Sequence, residues 1–192
     1  DYLPELMGSG YEGVPIKAVL QMSSGVDYSE SYDSGSMSDS ERMWNEALIF
    51  NKKPLTDFVR NIKRSREPFV RFNYAGIETQ ALGWLVSRVT GKTLSEYLSE
   101  KLWKPLGMEA NANWATDGRG PNANESAFCC VNATLRDYAR FGLLMAQDGV
   151  WQGQRLLPEG WVAEATRSDM PQVQPGKLYD GSIPRAEVFR CE

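Results

Sequence analysis

The sequence contains no histidine. That absence removes the Ser-His-Asp triad, the Cys-His pair and every His-ligated metal site from the chemistry these residues can supply. Acid–base work then falls to tyrosine, lysine or carboxylates. Cysteine is scarce: of three, Cys129 and Cys130 are neighbours and Cys191 lies near the far end. Neighbouring cysteines rarely bridge, so no disulfide framework is expected, and the spacing does not make a metal site. No metal and no cofactor is expected. Long apolar runs are also missing, since nothing approaches the roughly 18 residues that cross a bilayer, and no membrane span is expected. A net charge of −4 argues against a general nucleic-acid role. The opening stretch, polar and acidic, lacks the pattern of a signal peptide. Either the chain is not exported or an earlier segment has been removed.

What is present is ordinary for a globular fold. The 192 residues are 42% hydrophobic and 24% charged, which fits one domain or a large piece of a two-domain protein. Charge is unevenly spread. Residues 1–46 hold nine acids against Lys17 and Arg42, whereas 52–71 hold seven bases against Asp57 and Glu67. The basic segment reads either as a patch for an anionic ligand or membrane, or as a solvated face balanced by the acidic segment. The second reading is preferred.

Three helix starts are marked by S/T-x-x-acid spacing: Ser38 with Glu41, Thr93 with Glu96, and Thr134 with Asp137. Such side chains satisfy the free amides of a first turn. After Gly76, the positions Ile77, Ala81, Leu82, Leu85, Val86 and Val89 form one apolar stripe, and Gly91 stops the helix. Leu94, Tyr97, Leu98 and Leu102 repeat the pattern, as do Leu135, Tyr138, Ala139, Gly142, Met145 and Ala146. Shorter helical patterns lie at 16–22, 41–50, 55–64 and 158–166. Strand signals are few, around 69–72 and 127–131. Six serines between 29 and 40 mark a mobile loop. Residues 170–192 show little periodicity and are expected to be an irregular tail after a domain portion at 1–169.

The strings SSG at 23–25, FNYAG at 72–76 and NATLRDYARFGLLMAQDGVWQGQRLLPEGWV at 132–162 resemble the serine β-lactamase and penicillin-binding-protein-like hydrolases. Within that superfamily they are most similar to class C-like esterases and 6-aminohexanoate-dimer hydrolases. The resemblance runs from DYLPEL at the start to about Thr166. It implies an α/β (α+β) β-lactamase/transpeptidase-like fold, an antiparallel sheet covered by helices with the site between sheet and a helical region. This chain is expected to supply chiefly the helical part, with few short strands.

The resemblance also implies a mechanism without metal or cofactor. A serine and a lysine in Ser-x-x-Lys, with a tyrosine on a separate loop, form and hydrolyse an acyl-enzyme from a small-molecule ester or amide. Tyr74 matches the tyrosine. A phenol needs a nearby cation or helix N-terminal amides to act as a base near neutral pH, and Tyr74 precedes the helix that begins near Gly76. The plain structural alternative is a tyrosine anchoring its loop to the core. VDYSESY at 26–32 resembles a loop that brings a tyrosine over the substrate, with Tyr32 the better match and Tyr28 the reserve. Trp44 is a candidate for the same pocket, or else a core residue on its helix. Ser23 and Ser24 read as turn-capping residues rather than nucleophiles.

Two departures stand out. Related sequences carry Tyr-x-Asn or Tyr-x-Ser, whereas this one has Tyr74-Ala75-Gly76, which makes efficient β-lactam turnover doubtful. No serine in the sequence is followed three positions later by lysine, so the resemblance places Ser-x-x-Lys before residue 1. The third motif of the superfamily, a Lys- or His-x-Gly, has no match at 170–192. Gly91-Lys92-Thr93 is not a phosphate loop and Gly8-Ser9-Gly10 is not a nucleophile elbow. The 192 residues therefore read as the middle of a hydrolase, inactive alone, of bacterial cytoplasm or periplasm. A non-catalytic binding or regulatory protein on the same scaffold is the alternative. Oligomeric state is not set by the sequence.

Overall fold

The computed structural model of the chain describes residues 2–30 and 37–167. Its helices are α1 (Ile16–Leu20), α2 (Asp39–Met43), α3 (Leu55–Asn61), α4 (Gly76–Thr90), α5 (Leu94–Leu98), α6 (Leu135–Ala146) and α7 (Trp161–Thr166). Helices α2 and α5 each run on into a wider π-type turn, Trp44–Ile49 and Ser99–Trp103. Two small antiparallel hairpins complete it: β1 (Asn113–Trp114) with β2 (Val131–Asn132), and β3 (Val150–Trp151) with β4 (Gln154–Arg155). Among the described residues no helix is long and apolar enough to cross a membrane.

The helix starts follow from local chemistry. Ser38 and Thr93 form reciprocal capping boxes with Glu41 and Glu96, and the Thr134 hydroxyl accepts from the Asp137 amide. Helix α4 ends at Gly91, whose φ of 66° is the left-handed conformation that costs glycine least. The core is built from the first half of the chain. Tyr11, Val19, Val26, Tyr28, Met43, Ala47, Leu55, Val59, Ala75, Ile77 and Ala81 form one buried cluster. Each fully buried Leu, Ile or Val in it contributes about 1.5–3 kcal/mol over exposure.

Several expectations are corrected. The segment 69–72 is not a strand, because Phe69 turns with φ of 67° and donates its amide to the Ser23 carbonyl. Cys129 and Cys130, expected to stay apart, are joined in a disulfide within one turn. The turn is shaped for it, with Cys130 at φ of 75° and the Trp114 indole N–H donating to the Ser126 and Cys129 carbonyls. The stripe on α6 faces outward rather than into the core. Leu135 is 84% exposed and Tyr138 is exposed, while Asp137 and Leu144 are the buried residues of that helix. Asp137 turns inward because its carboxylate accepts from the amides of Glu109 and Ala110, the Thr134 hydroxyl and Arg140. These donors, the Glu109 amide foremost, hold its carboxyl below the usual range. The serine-rich loop, where it spans 31–36, and the tail at 170–192 lie outside the described residues.

Candidate active site

Tyr74 lies on an extended segment that enters α4. Ala75 caps the helix with φ of −152° and ψ of 111° and is fully buried, whereas the Tyr74 side chain turns outward and is 48% exposed. The expected alternative of a buried anchoring ring does not describe this geometry. The backbone does the anchoring instead. Asn73 donates its amide to the Met22 carbonyl at 2.7 Å, and its Nδ2 to the Tyr28 carbonyl at 3.1 Å.

The turn at 22–25 runs beside this segment. Gly25 has φ of 85°, and a Cβ there would stand 2.2 Å from the Arg66 carbonyl oxygen, so only glycine permits the approach. Ser23 and Ser24 are buried and satisfied as turn residues. Ser23 Oγ donates to the Ala18 carbonyl, and Ser24 Oγ donates to Glu78 Oε1 at 2.5 Å while accepting from the Val26 amide.

Glu78, in the first turn of α4, was not singled out by the sequence. It is 1% exposed, and burial, opposed by the Ser24 hydroxyl and amide, pushes its pKa up from 4.5 to about 7. Its Oε2 has no hydrogen-bond partner among the described residues, nor has the buried Tyr11 hydroxyl. Burial, with the Glu78 and Tyr28 groups nearby, pushes the Tyr11 phenol well above its ordinary value. The sequence shows an acid four positions after Tyr74 but not its burial. Nor does it show the partner, 54 residues upstream.

The loop at 26–30 joins the remaining candidates. Ser29 donates its amide and hydroxyl to Asp39 Oδ2, both at 2.9 Å, which ties the loop to the start of α2. Glu30 Oε2 accepts the Gly76 amide at 2.5 Å, which ties it to the start of α4. Tyr28 is buried in the core beside Tyr11, so it offers its carbonyl to Asn73 rather than an open ring. Trp44, just past α2, is 41% exposed, while Met43 and Ala47 of the same turn are buried. Tyr32 lies outside the described residues. The structure thus brings the elements carrying Tyr74, Tyr28 and Trp44 against one another through Ser29 and Glu30.

Three hollows open elsewhere on the surface. One of about 650 Å³ lies between the N-terminal segment and α4, one of about 470 Å³ between α4, α5 and residues 121–125, and one of about 250 Å³ near Lys53 and Asp117. None is lined by Tyr74, Tyr28 or Trp44. Among the described residues no group of acidic or sulfur side chains could hold a metal ion.

Comparison with known proteins bears on the family and the fold. The family model described as Beta-lactamase matches residues 1–178. A 6-aminohexanoate-dimer hydrolase of Paenarthrobacter ureafaciens is 29% identical over 99% of this chain and 48% of its own length. An unguisins hydrolase of Aspergillus campestris is 28% identical over 44% of this chain and 16% of its own. Among solved structures, a protein described as a 6-aminohexanoate-dimer hydrolase from Bacillus anthracis superposes with a TM-score of 0.74 at 28% identity, covering 85% of this chain and 44% of that one. A β-lactamase-like protein of Bacteroides dorei, at 23% identity and a TM-score of 0.61, shares the fold. The chain spans about half the length of the first of these relatives in sequence and in structure.

Proposed function

Because the chain belongs to the β-lactamase family, within the β-lactamase-like serine hydrolases, we propose that it carries the tyrosine half of a site that hydrolyses small esters or amides through an acyl-enzyme. The nucleophile and lysine belong to a Ser-x-x-Lys that this sequence does not contain. Tyr74 takes the proton as the serine attacks the carbonyl and passes it to the departing alcohol or amine. In the second half it serves the attacking water in the same way. Trp44 lines the acyl or leaving-group side, Tyr28 supports the loop from beneath, and Tyr32, outside the described residues, is the further substrate-binding candidate. The substrate is a small molecule, and no cofactor is required.

The observation that carries this reading is the outward ring of Tyr74 on a backbone fixed by the 22–25 turn and the 26–30 loop. An anchoring tyrosine would point the other way. The two relatives named as hydrolases support the reaction class. A non-catalytic binding role on the same scaffold is the second reading, favoured by the lack of a polar side chain at Gly76.

Intact mass before and after a fluorophosphonate probe separates them, measured on this chain and on the longest reading frame that contains it. The 21.6 kDa chain is expected to stay unlabelled. A longer protein bearing Ser-x-x-Lys is expected to gain one adduct, more slowly in Tyr74→Phe. Labelling of the 21.6 kDa chain itself overturns the assignment of the nucleophile. A longer protein that carries the motif and resists the probe favours the binding role.

A further inference from the structure

Helix α4 is the longest helix described, and it begins without a local cap: Ala75 at the N-cap has no side-chain oxygen to offer. Gly76, its first residue, is buried, so its amide cannot turn to water and needs an acceptor. That acceptor comes from 46 residues upstream, where Glu30 Oε2 receives the Gly76 N–H at 2.5 Å. A carboxylate at this end of a helix also meets the positive pole of its backbone dipole.

The glycine fits the glutamate. A Cβ at residue 76 would stand 3.4 Å from Glu30 Oε2 and 3.4 Å from the Phe128 Cβ. A methyl group would just fit, and any longer side chain would compete with the carboxylate for the same space. The acidic group and the missing side chain are thus two halves of one arrangement. Tyr74 sits inside it, with Asn73 held on one side by the Met22 and Tyr28 carbonyls and Gly76 held on the other by Glu30.

We propose that Glu30 supplies, from the neighbouring loop, the polar group that the tyrosine motif lacks at Gly76, and so acts as a positioning residue for Tyr74. This inference rests on the reading of Tyr74 as the proton-transferring residue. It also reassigns the first amide of α4: its proton goes to Glu30 rather than to the phenol.

The test uses the full 192-residue chain, labelled at tyrosine rings and glycine amides, with Tyr74→Phe to identify the ring signals. Glu30→Ala is expected to move and broaden the Tyr74 ring signals and to shift the Gly76 amide upfield. Glu30→Gln, whose amide oxygen can still accept the bond, is expected to keep both near their wild-type positions. Gly76→Ser, which removes the Gly76 signal itself, is expected to displace the Tyr74 ring signals, and to displace them no further when combined with Glu30→Ala. In a longer, probe-reactive protein Glu30→Ala is expected to slow the covalent step about tenfold while leaving probe affinity within about twofold. Tyr74 signals unmoved by Glu30→Ala overturn the inference, whatever the labelling shows. Signals that move in a longer protein that is never labelled leave Glu30 as the group that places Tyr74 and remove the hydrolase reading instead.

Discussion

Glu78→Gln exchanges a carboxylate for an amide of the same shape at a position with 1% exposure. The glutamine oxygen can still accept from the Ser24 amide and hydroxyl, which leaves charge as the main variable. Burial raises the Glu78 pKa from 4.5 to about 7, so between those values the folded chain holds a proton that the unfolded chain has released. Stability from this group is therefore complete below about pH 4.5 and is lost as pH rises through 7. At about 1.4 kcal/mol per pH unit, the loss amounts to about 3 kcal/mol by pH 8. The window is clean because the sequence has no histidine to titrate across it. Urea unfolding followed by tryptophan fluorescence at pH 5, 6, 7 and 8 gives the measurement, with unchanged slopes as the check that only stability moved. The wild type should weaken progressively relative to Glu78→Gln, with the gap opening by about 3 kcal/mol between pH 4.5 and pH 8. A gap that stays constant with pH would refute the argument, because it would mean that Glu78 is ionised throughout and that its desolvation is offset by contacts other than Ser24.

Gly83→Ala should cost about 1–3 kcal/mol in urea unfolding, since the new Cβ would lie 2.4 Å from Ala127 Cβ and force residues 125–128 off α4. Thiol titration in denaturant should find one free cysteine before reduction and three after it, as Cys129 and Cys130 are joined and Cys191 is the third. Three thiols before reduction would remove the disulfide. Asp137→Ala should lower the melting temperature more than Thr134→Ala, because it strips an acceptor from the Glu109 and Ala110 amides as well as from the Thr134 hydroxyl. Since its folded pKa is depressed, the Asp137 charge contribution is present above the ordinary carboxyl pKa and fades as pH falls through the lowered value, so the gap between Asp137→Ala and wild type should narrow in acid.

Elements whose causes lie within a few residues were legible in the sequence. Ser38, Thr93 and Thr134 begin helices because each reaches an amide three positions on, and Gly91 ends one by its own φ. The family and its fold were legible in the strings around residues 23–25, 72–76 and 132–162. Faces were less so. In α4 the buried set includes Glu78 and Gln80, polar residues whose partners are Ser24 and the backbone of residues 125 and 127. The stripe predicted for α4 runs out at Val89, which is exposed. Periodicity finds an apolar stripe but not what covers it, and on α6 the stripe is uncovered among the described residues. Tyr74 was legible as a candidate by residue type and by the string around it. Glu30 could not be found that way, because a glutamate in an acidic loop becomes informative only when folding brings it to Gly76.

The fastening of residues 73 and 76 also sets how Tyr74 can move. Two residues lie between the fastenings, and one of them, Ala75, is fully buried. The peptide there has no slack for a hinge, so it cannot open and close on the microsecond-to-millisecond scale of a lid. Any motion of Tyr74 is then motion of its side chain alone, within the contacts the ring keeps. A reacting molecule would then meet an outward ring on a stationary mount. The slow motions that govern entry and release would belong to whatever faces this ring from across the site.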